Sequence, residues 1–229
     1  MVKDCLVKYG LSYRFGNPSA ACWGAVAGGI MLCKSFKKIS GAVVMLAGLL
    51  LALPVEAAIV TVTPERAGQH ILFINVSGEI VSGDAERLQQ ALRQAAGKGQ
   101  IAIMLDSRGG DVDVSMAMGQ AIRTAGAVTY HGYCASACVY AFLGGVTRYL
   151  APDDGVAMLN IHRPEAAEAH VARPNPFTAQ MLSLLENYIV SMIGNSSFYQ
   201  MMMQVPFATP RALQPAEAIN LQVATVQLP

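Results

Sequence analysis

The sequence predicts an α/β fold built on a mostly parallel sheet, and three observations predict it. Short apolar runs rich in β-branched residues recur along the chain, stretches with helical apolar spacing alternate with them, and Gly-rich or polar turns mark the changeovers. Strands that alternate with helices need crossover connections, and such sheets hold their sites at the carboxyl ends of the strands.

Ile59–Thr63 and His70–Val76 read as strands split by the polar turn Pro64–Gln69. Ser82-Gly83-Asp84 opens a helix, in which Ala85, Leu88, Leu92 and Ala95 recur at helical spacing up to a stop at Gly97; Asp84 and Glu86 sit at its positive end. Gln100–Leu105 is an apolar run closed by Asp106-Ser107-Arg108-Gly109-Gly110, which turns into a helix over Val112–Ala125. The cycle repeats with a strand at Ala127–Tyr130 and a helix at Ala135–Leu143. Thr147–Leu150 and Val156–Ile161 read as further strands around the turn Ala151–Gly155. Past His162 a polar loop over Arg163–Pro176, long enough to act as a lid, precedes helical sequence through Ile193 and a helical patch at Phe198–Gln204. A last helical turn begins at Pro215, and Leu221–Leu228 offers a terminal strand.

The first 57 residues follow another pattern. Lys34, Lys37 and Lys38 precede the apolar run Ile39–Val55, which ends in Val55-Glu56-Ala57-Ala58, the layout of a secretory signal cut after Ala57. That leaves residues 58–229 as one domain; an uncut membrane anchor is the alternative, the run being at the short limit for a span. Because the basic cluster starts only after Met31, that residue is a candidate start of translation, and the apolar stretch Ala20–Ile30 could instead pair with the later run in the membrane. The expected location is outside the cytoplasm, in the periplasm or anchored facing it.

A formal net charge of +1, with Lys and Arg scattered after residue 60, builds no basic stripe for phosphate backbones, so nucleic acid is excluded as a partner. Cys5, Cys22 and Cys33 fall in the leader, which leaves Cys134 and Cys138 for the domain. Two cysteines suit an oxidising compartment, and a disulfide or a pair of buried thiols are equal readings. Histidines and cysteines show no metal-ligand spacing, and the Met201-Met202-Met203 run reads as adaptable packing, so no cofactor or metal is implied.

Three features could carry chemistry. Gly109-Gly110 follows a strand and precedes a helix, so its backbone can approach a ligand closely; alone it is an ordinary turn. Ser136 stands among small residues in Cys134-Ala135-Ser136-Ala137-Cys138, where a strand hands over to a helix. A helix cap is the plain reading, and an accessible nucleophile is the chemical one. His162 ends an apolar strand; His131 is a competing base, with His70 at a strand start and His170 in the polar loop.

Taken together, Ser107-Arg108-Gly109-Gly110, Ala135-Ser136-Ala137 and Ile161-His162-Arg163-Pro164 resemble, in order and spacing, the proteolytic subunit of the Clp protease, within the ClpP/crotonase superfamily. The resemblance covers about residues 70–222. Cys134–Cys138 followed by Phe142-Leu143-Gly144-Gly145 looks most like the exported Clp-like proteins of bacteria. It implies a spiral of ββα units and peptide hydrolysis through an acyl-enzyme: Ser136 attacks, His162 moves the proton, and the amides of Gly110 and Ala137 hold the oxyanion. It also implies peptide or unfolded-protein substrates and a homo-oligomer, with membrane attachment through the leader if that is kept.

One departure from the family pattern stands out. Its third triad member is an acid after the histidine, yet no Asp follows His162; Thr209 or Pro210 holds the approximate position and Glu217 matches a structural helix-start acid. Asp106 and Asp111 belong to the glycine turn. An ATP-independent serine hydrolase is therefore the first expectation, and a catalytically silent peptide- or protein-binding module the second. A crotonase-type acyl-CoA enzyme is a third, disfavoured by export.

Overall fold

The computed structural model describes residues 57–62, 71–151 and 158–228. Residues 1–56 of the leader, the Pro64–Gln69 turn, His70 and the expected turn Ala151–Gly155 past Ala151 lie outside the described residues. Among those described, no helix is long and apolar enough to cross a membrane.

Among the described residues eight strands form one mixed, mostly parallel sheet: β1 (Ile59–Val62), β2 (Ile71–Ser77), β3 (Gln100–Ser107), β4 (Val128–Ala135), β5 (Arg148–Leu150), β6 (Met158–Ile161), β7 (Arg211–Ala212) and β8 (Val226–Gln227). The path runs β1-β2-β3-β4-β5-β8, with β6 on β4 and β7 on β6. Among these described strands, β1–β2 and β6–β7 pair antiparallel and the other pairs are parallel. Strand β4 divides its partners: Thr129 and Tyr130 pair with β5, whereas Tyr133–Ala135 pair with β6. This fork brings the carboxyl ends of β3, β4 and β6 side by side, with Ser107 opposite Cys134 and Ala135 opposite Asn160.

Among the described residues seven helices accompany the sheet: α1 (Asp84–Ala95), α2 (Val112–Thr124), α3 (Cys138–Leu143), α4 (Glu165–Ala172), α5 (Pro176–Ile193), α6 (Ser197–Met202) and α7 (Pro215–Asn220). Helix α1 packs on β1 and α2, while α5 touches α2, α3, α4 and α6. The buried stripe of α2 is Ser115, Met118, Gly119 and Ile122, the spacing that one helix face requires. Every residue of α3 is buried, and its first turn follows the Ser136 turn directly.

Two guanidinium groups, that of half-buried Arg123 and that of buried Arg148, close the far end of α3. Arg123 donates to the carbonyls of Leu143, Gly144 and Gly145, and Arg148 to those of Gly145, Gln222 and Val223. They satisfy carbonyls that a helix end leaves without amide partners and place positive charge where the dipole favours it. Burial, then the neighbouring Arg123, lowers the Arg148 pKa to about 10, so it stays charged at neutral pH.

Two expectations need correction. The segment after Pro164 is not a polar loop: Glu165–Ala172 is helical, with Glu165 and Glu168 in its first turn and an Ala-rich body that loses little side-chain entropy on coiling. Nor does a helix begin at Ala135. Strand β4 runs on through Ala135, and α3 starts only at Cys138 because Ser136 adopts φ 56, a left-handed turn that a helix cannot include.

Candidate active site

The carboxyl ends of β3, β4 and β6 carry the three segments singled out above. After β3 the chain reverses through Gly109 and Gly110, whose φ values are 100 and 140. The backbone leaves no room for a side chain there. A Cβ on Gly110 would lie 2.1 Å from the Ile80 carbonyl oxygen, and one on Gly109 would lie 2.8 Å from the Ser136 Cβ and 2.9 Å from the Ala137 nitrogen. Three contacts fix the turn: Ile80 N–H donates to the Gly109 carbonyl, Asp111 N–H to the Ile80 carbonyl, and Gly109 N–H to Ser107 Oγ. Asp111 then caps α2 by accepting from Val114 N–H.

Ser136 follows β4 and is held by its own amide, which donates to Asn160 O on β6 at 2.9 Å. For a non-glycine residue a positive φ costs about 1–3 kcal/mol and persists only where its surroundings enforce it. Those surroundings are close by: the glycine turn packs against it, β6 binds its amide, and a disulfide joins Cys134 to Cys138 across it. Both cysteines are fully buried. No described residue accepts a hydrogen bond from the amides of Gly110 and Ala137.

The disulfide spans a short loop, so its effect on the unfolded chain is modest. Replacing both cysteines by alanine is expected to lower unfolding free energy by about 2 kcal/mol in urea titrations. The loss should be accompanied by greater protease sensitivity near Ser136, because the cross-link holds that turn at both ends.

His162 follows β6. Its Nδ1 lies 2.7 Å from the Arg163 carbonyl oxygen, and its ring meets Phe207 edge to face at 5.0 Å. A carbonyl can only accept, so the proton sits on Nδ1 and the lone pair on Nε2. Ser136 and His162 line one cleft of about 720 Å³. Gly110, Tyr140, Met181 and Phe207 add apolar or backbone surface to it, and Glu79, Arg108, Asp113 and Glu165 contribute charge. Among the described residues no hydrogen bond links Ser136 to His162.

His131, the competing base, is differently placed. Nδ1 donates to Gly132 O at 2.9 Å, Nε2 accepts from Ala151 N–H at 3.4 Å, and the ring packs edge-on against Phe142. Both ring nitrogens are therefore committed, and the neutral form is built in. Burial lowers its pKa, against a smaller opposing effect of the Gly132 carbonyl. Since the folded pKa lies below the ordinary value of about 6.5, only the unfolded chain binds a proton between the two. Stability is thus complete above that ordinary value and drains as pH falls through the folded one; melting temperatures measured from pH 7 to pH 5 should fall, less steeply in His131→Gln. His170 lies on α4, where Nδ1 accepts from Asn175 N–H.

Two of the acidic candidates, Asp111 and Glu217, are engaged elsewhere. Glu217 forms a two-pronged ion pair with Arg211, whose hydrogen bond lowers the carboxyl pKa. Thr209 and Pro210 are exposed. Sequence reasoning missed the Arg163 carbonyl and Phe207 as the neighbours of His162. A backbone carbonyl has no sequence signal, and Phe207 lies far along the chain.

No protein-family model matches this sequence, and no curated protein matches it either. Solved structures do. The architecture is a ClpP-like α/β fold. A single-residue variant of ClpP1 from Listeria monocytogenes shares it at a TM-score of 0.53 and 21% identity, covering 68% of this chain and 90% of that one. ClpP1 from Listeria monocytogenes superposes at 0.52 and 19% identity over the same shares.

Proposed function

We propose that this protein is an exported serine hydrolase that cleaves peptides through an acyl-enzyme on Ser136. The observation that carries the reading is the pairing of a left-handed Ser136 turn with a His162 whose Nε2 lone pair is left for a proton, both on one cleft. His162 Nε2 takes the hydroxyl proton as Ser136 Oγ bonds to the substrate carbonyl carbon. The Gly110 and Ala137 amides receive the resulting oxyanion, at about 3–4 kcal/mol of barrier for each donor. Collapse breaks the C–N bond while the imidazolium returns its proton to the leaving amine; water, deprotonated by the same nitrogen, then releases the acyl group.

The buried disulfide and the basic-then-apolar leader support export, where no ATP-driven unfoldase is at hand. Substrates are then short or unfolded peptides, and a homo-oligomer belongs to the same reading. The second reading, a silent peptide-binding module, is favoured by one observation: no carboxylate contacts His162 among the described residues.

Rapid mixing of the full-length protein with p-nitrophenyl acetate separates the two. A burst of one nitrophenolate per chain, with acetyl mapped to Ser136, is the result expected of the hydrolase. Linear release no faster than that of Ser136→Ala would leave the binding module.

A further inference from the structure

The imidazole of His162 is oriented without an acid beside it, which raises the question of what holds its acceptor. Arg163 supplies that carbonyl and is fixed at two other points. Its N–H donates to Val205 O at 2.9 Å, and its guanidinium Nε is paired with Glu168 Oε2. The same carboxylate oxygen accepts from Phe207 N–H at 3.4 Å, and Phe207 is the ring against which His162 packs. One carboxylate, on the first turns of α4, thus ties together the segments on both sides of the imidazole. The Arg163 hydrogen bond lowers the Glu168 pKa, so the pair stays ionised at neutral pH.

We propose that Glu168 is the positioning residue of His162, acting through Arg163 and Phe207 in place of a direct orienting acid. The inference rests on His162 as base. Loss of the carboxylate frees the Arg163 peptide and the Phe207 loop to shift, and a misplacement near 1 Å can cost about 10²-fold in rate. The full-length protein would be treated with a fluorophosphonate probe, resolving its limiting rate from its half-saturating concentration. In parallel, ¹⁵N-histidine spectra would report the His162 tautomer.

Glu168→Ala is expected to lower the limiting rate about 10²-fold with half-saturation unchanged, and to mix the two tautomers. Glu168→Gln, whose amide oxygen can accept from the same two donors, should recover most of both. Wild-type rate and an unmixed tautomer in Glu168→Ala would overturn the proposal. If the wild type is not labelled, the hydrolase reading fails on its own, and the tautomer spectra alone decide the positioning role. Should Glu168→Ala not fold, Arg163→Met breaks the same pair while keeping the carbonyl, with the same two outcomes.

An independent observation lies at Ala58. Ala58 is buried, and its nitrogen lies 3.4 Å from Oδ2 of Asp84, a wholly buried carboxylate. Arg87 engages Oδ1, whereas Oδ2 accepts from Val81 N–H at 2.7 Å and faces Ala58. We infer that hydrolysis of the Ala57–Ala58 bond sets the new α-ammonium group against Asp84. Water supplies the hydroxyl to the Ala57 carboxyl, and the released Ala58 amine takes up a proton. Removal of the leader would then set a charged amine against the buried carboxylate that also holds the Val81 amide, directly after Ile80, which binds the glycine turn.

The exported protein, sequenced from its amino terminus, should begin at Ala58 and melt about 5 °C above a full-length chain kept uncut by Ala57→Phe. In an Asp84→Asn background that difference should vanish. A different terminus, or an equal difference with Asn at position 84, would refute the inference.

Discussion

Gly110→Ala is expected to lower the unfolding free energy by about 4 kcal/mol, the sum of the strain of φ 140 in a residue with a side chain and the overlap of its Cβ with the Ile80 carbonyl. The overlap cannot be relieved by a side-chain rotation, because the obstructing atom is backbone and lies 2.1 Å away. Ile80 would have to retreat, and with it the hydrogen bonds that Ile80 makes to Gly109 and Asp111. The glycine turn abuts Ser136 and the Ala137 amide, so the damage would reach the serine. Urea denaturation reads the first effect, and labelling of Ser136 by an activated ester reads the second. A variant that unfolds at the wild-type midpoint and labels normally would mean that the turn is not held as described.

His162→Ala carries the largest expected effect on chemistry. General-base assistance is worth about 10²–10⁴-fold, and the acylation rate of Ser136 should fall roughly 10³-fold. The fold should tolerate the change, since His162 is only partly buried and, among the described residues, its ring bonds to the neighbouring carbonyl alone. Burst kinetics with p-nitrophenyl acetate measure the rate directly. His131→Gln serves as the control: both of its nitrogens are bound to backbone, so its loss should affect stability and leave the burst within about threefold, the effect of under 1 kcal/mol.

The frame of the domain was legible because its signals are local. Apolar strands closed by turn residues, as at Gln100–Ser107, and one-sided helices such as α2 follow from periodicity alone. The Ser136 turn was placed one structural class away from its true form. Small residues at Ala135–Ala137 favour a helix by propensity, and tertiary contacts from the glycine turn and β6 override it. The polarity of Arg163–Pro176 masked α4, where helix-forming Ala and Glu outweigh the flanking prolines. The surroundings of His162 were beyond reach for a different reason. The ring is fixed by a carbonyl, by Phe207 and, through Arg163, by Glu168, and neither a main-chain acceptor nor a pairing of distant segments leaves a motif.

The account turns on whether Ser136 is an activated nucleophile. The most direct measurement is fluorophosphonate labelling of the full-length wild-type protein, Ser136→Ala and His162→Ala, with the modified peptide mapped by mass spectrometry. The account predicts stoichiometric modification of Ser136 in the wild type, none at that position in Ser136→Ala, and only slow labelling in His162→Ala. Folded wild-type protein that stays unmodified, or that reacts elsewhere and equally in all three, would contradict it.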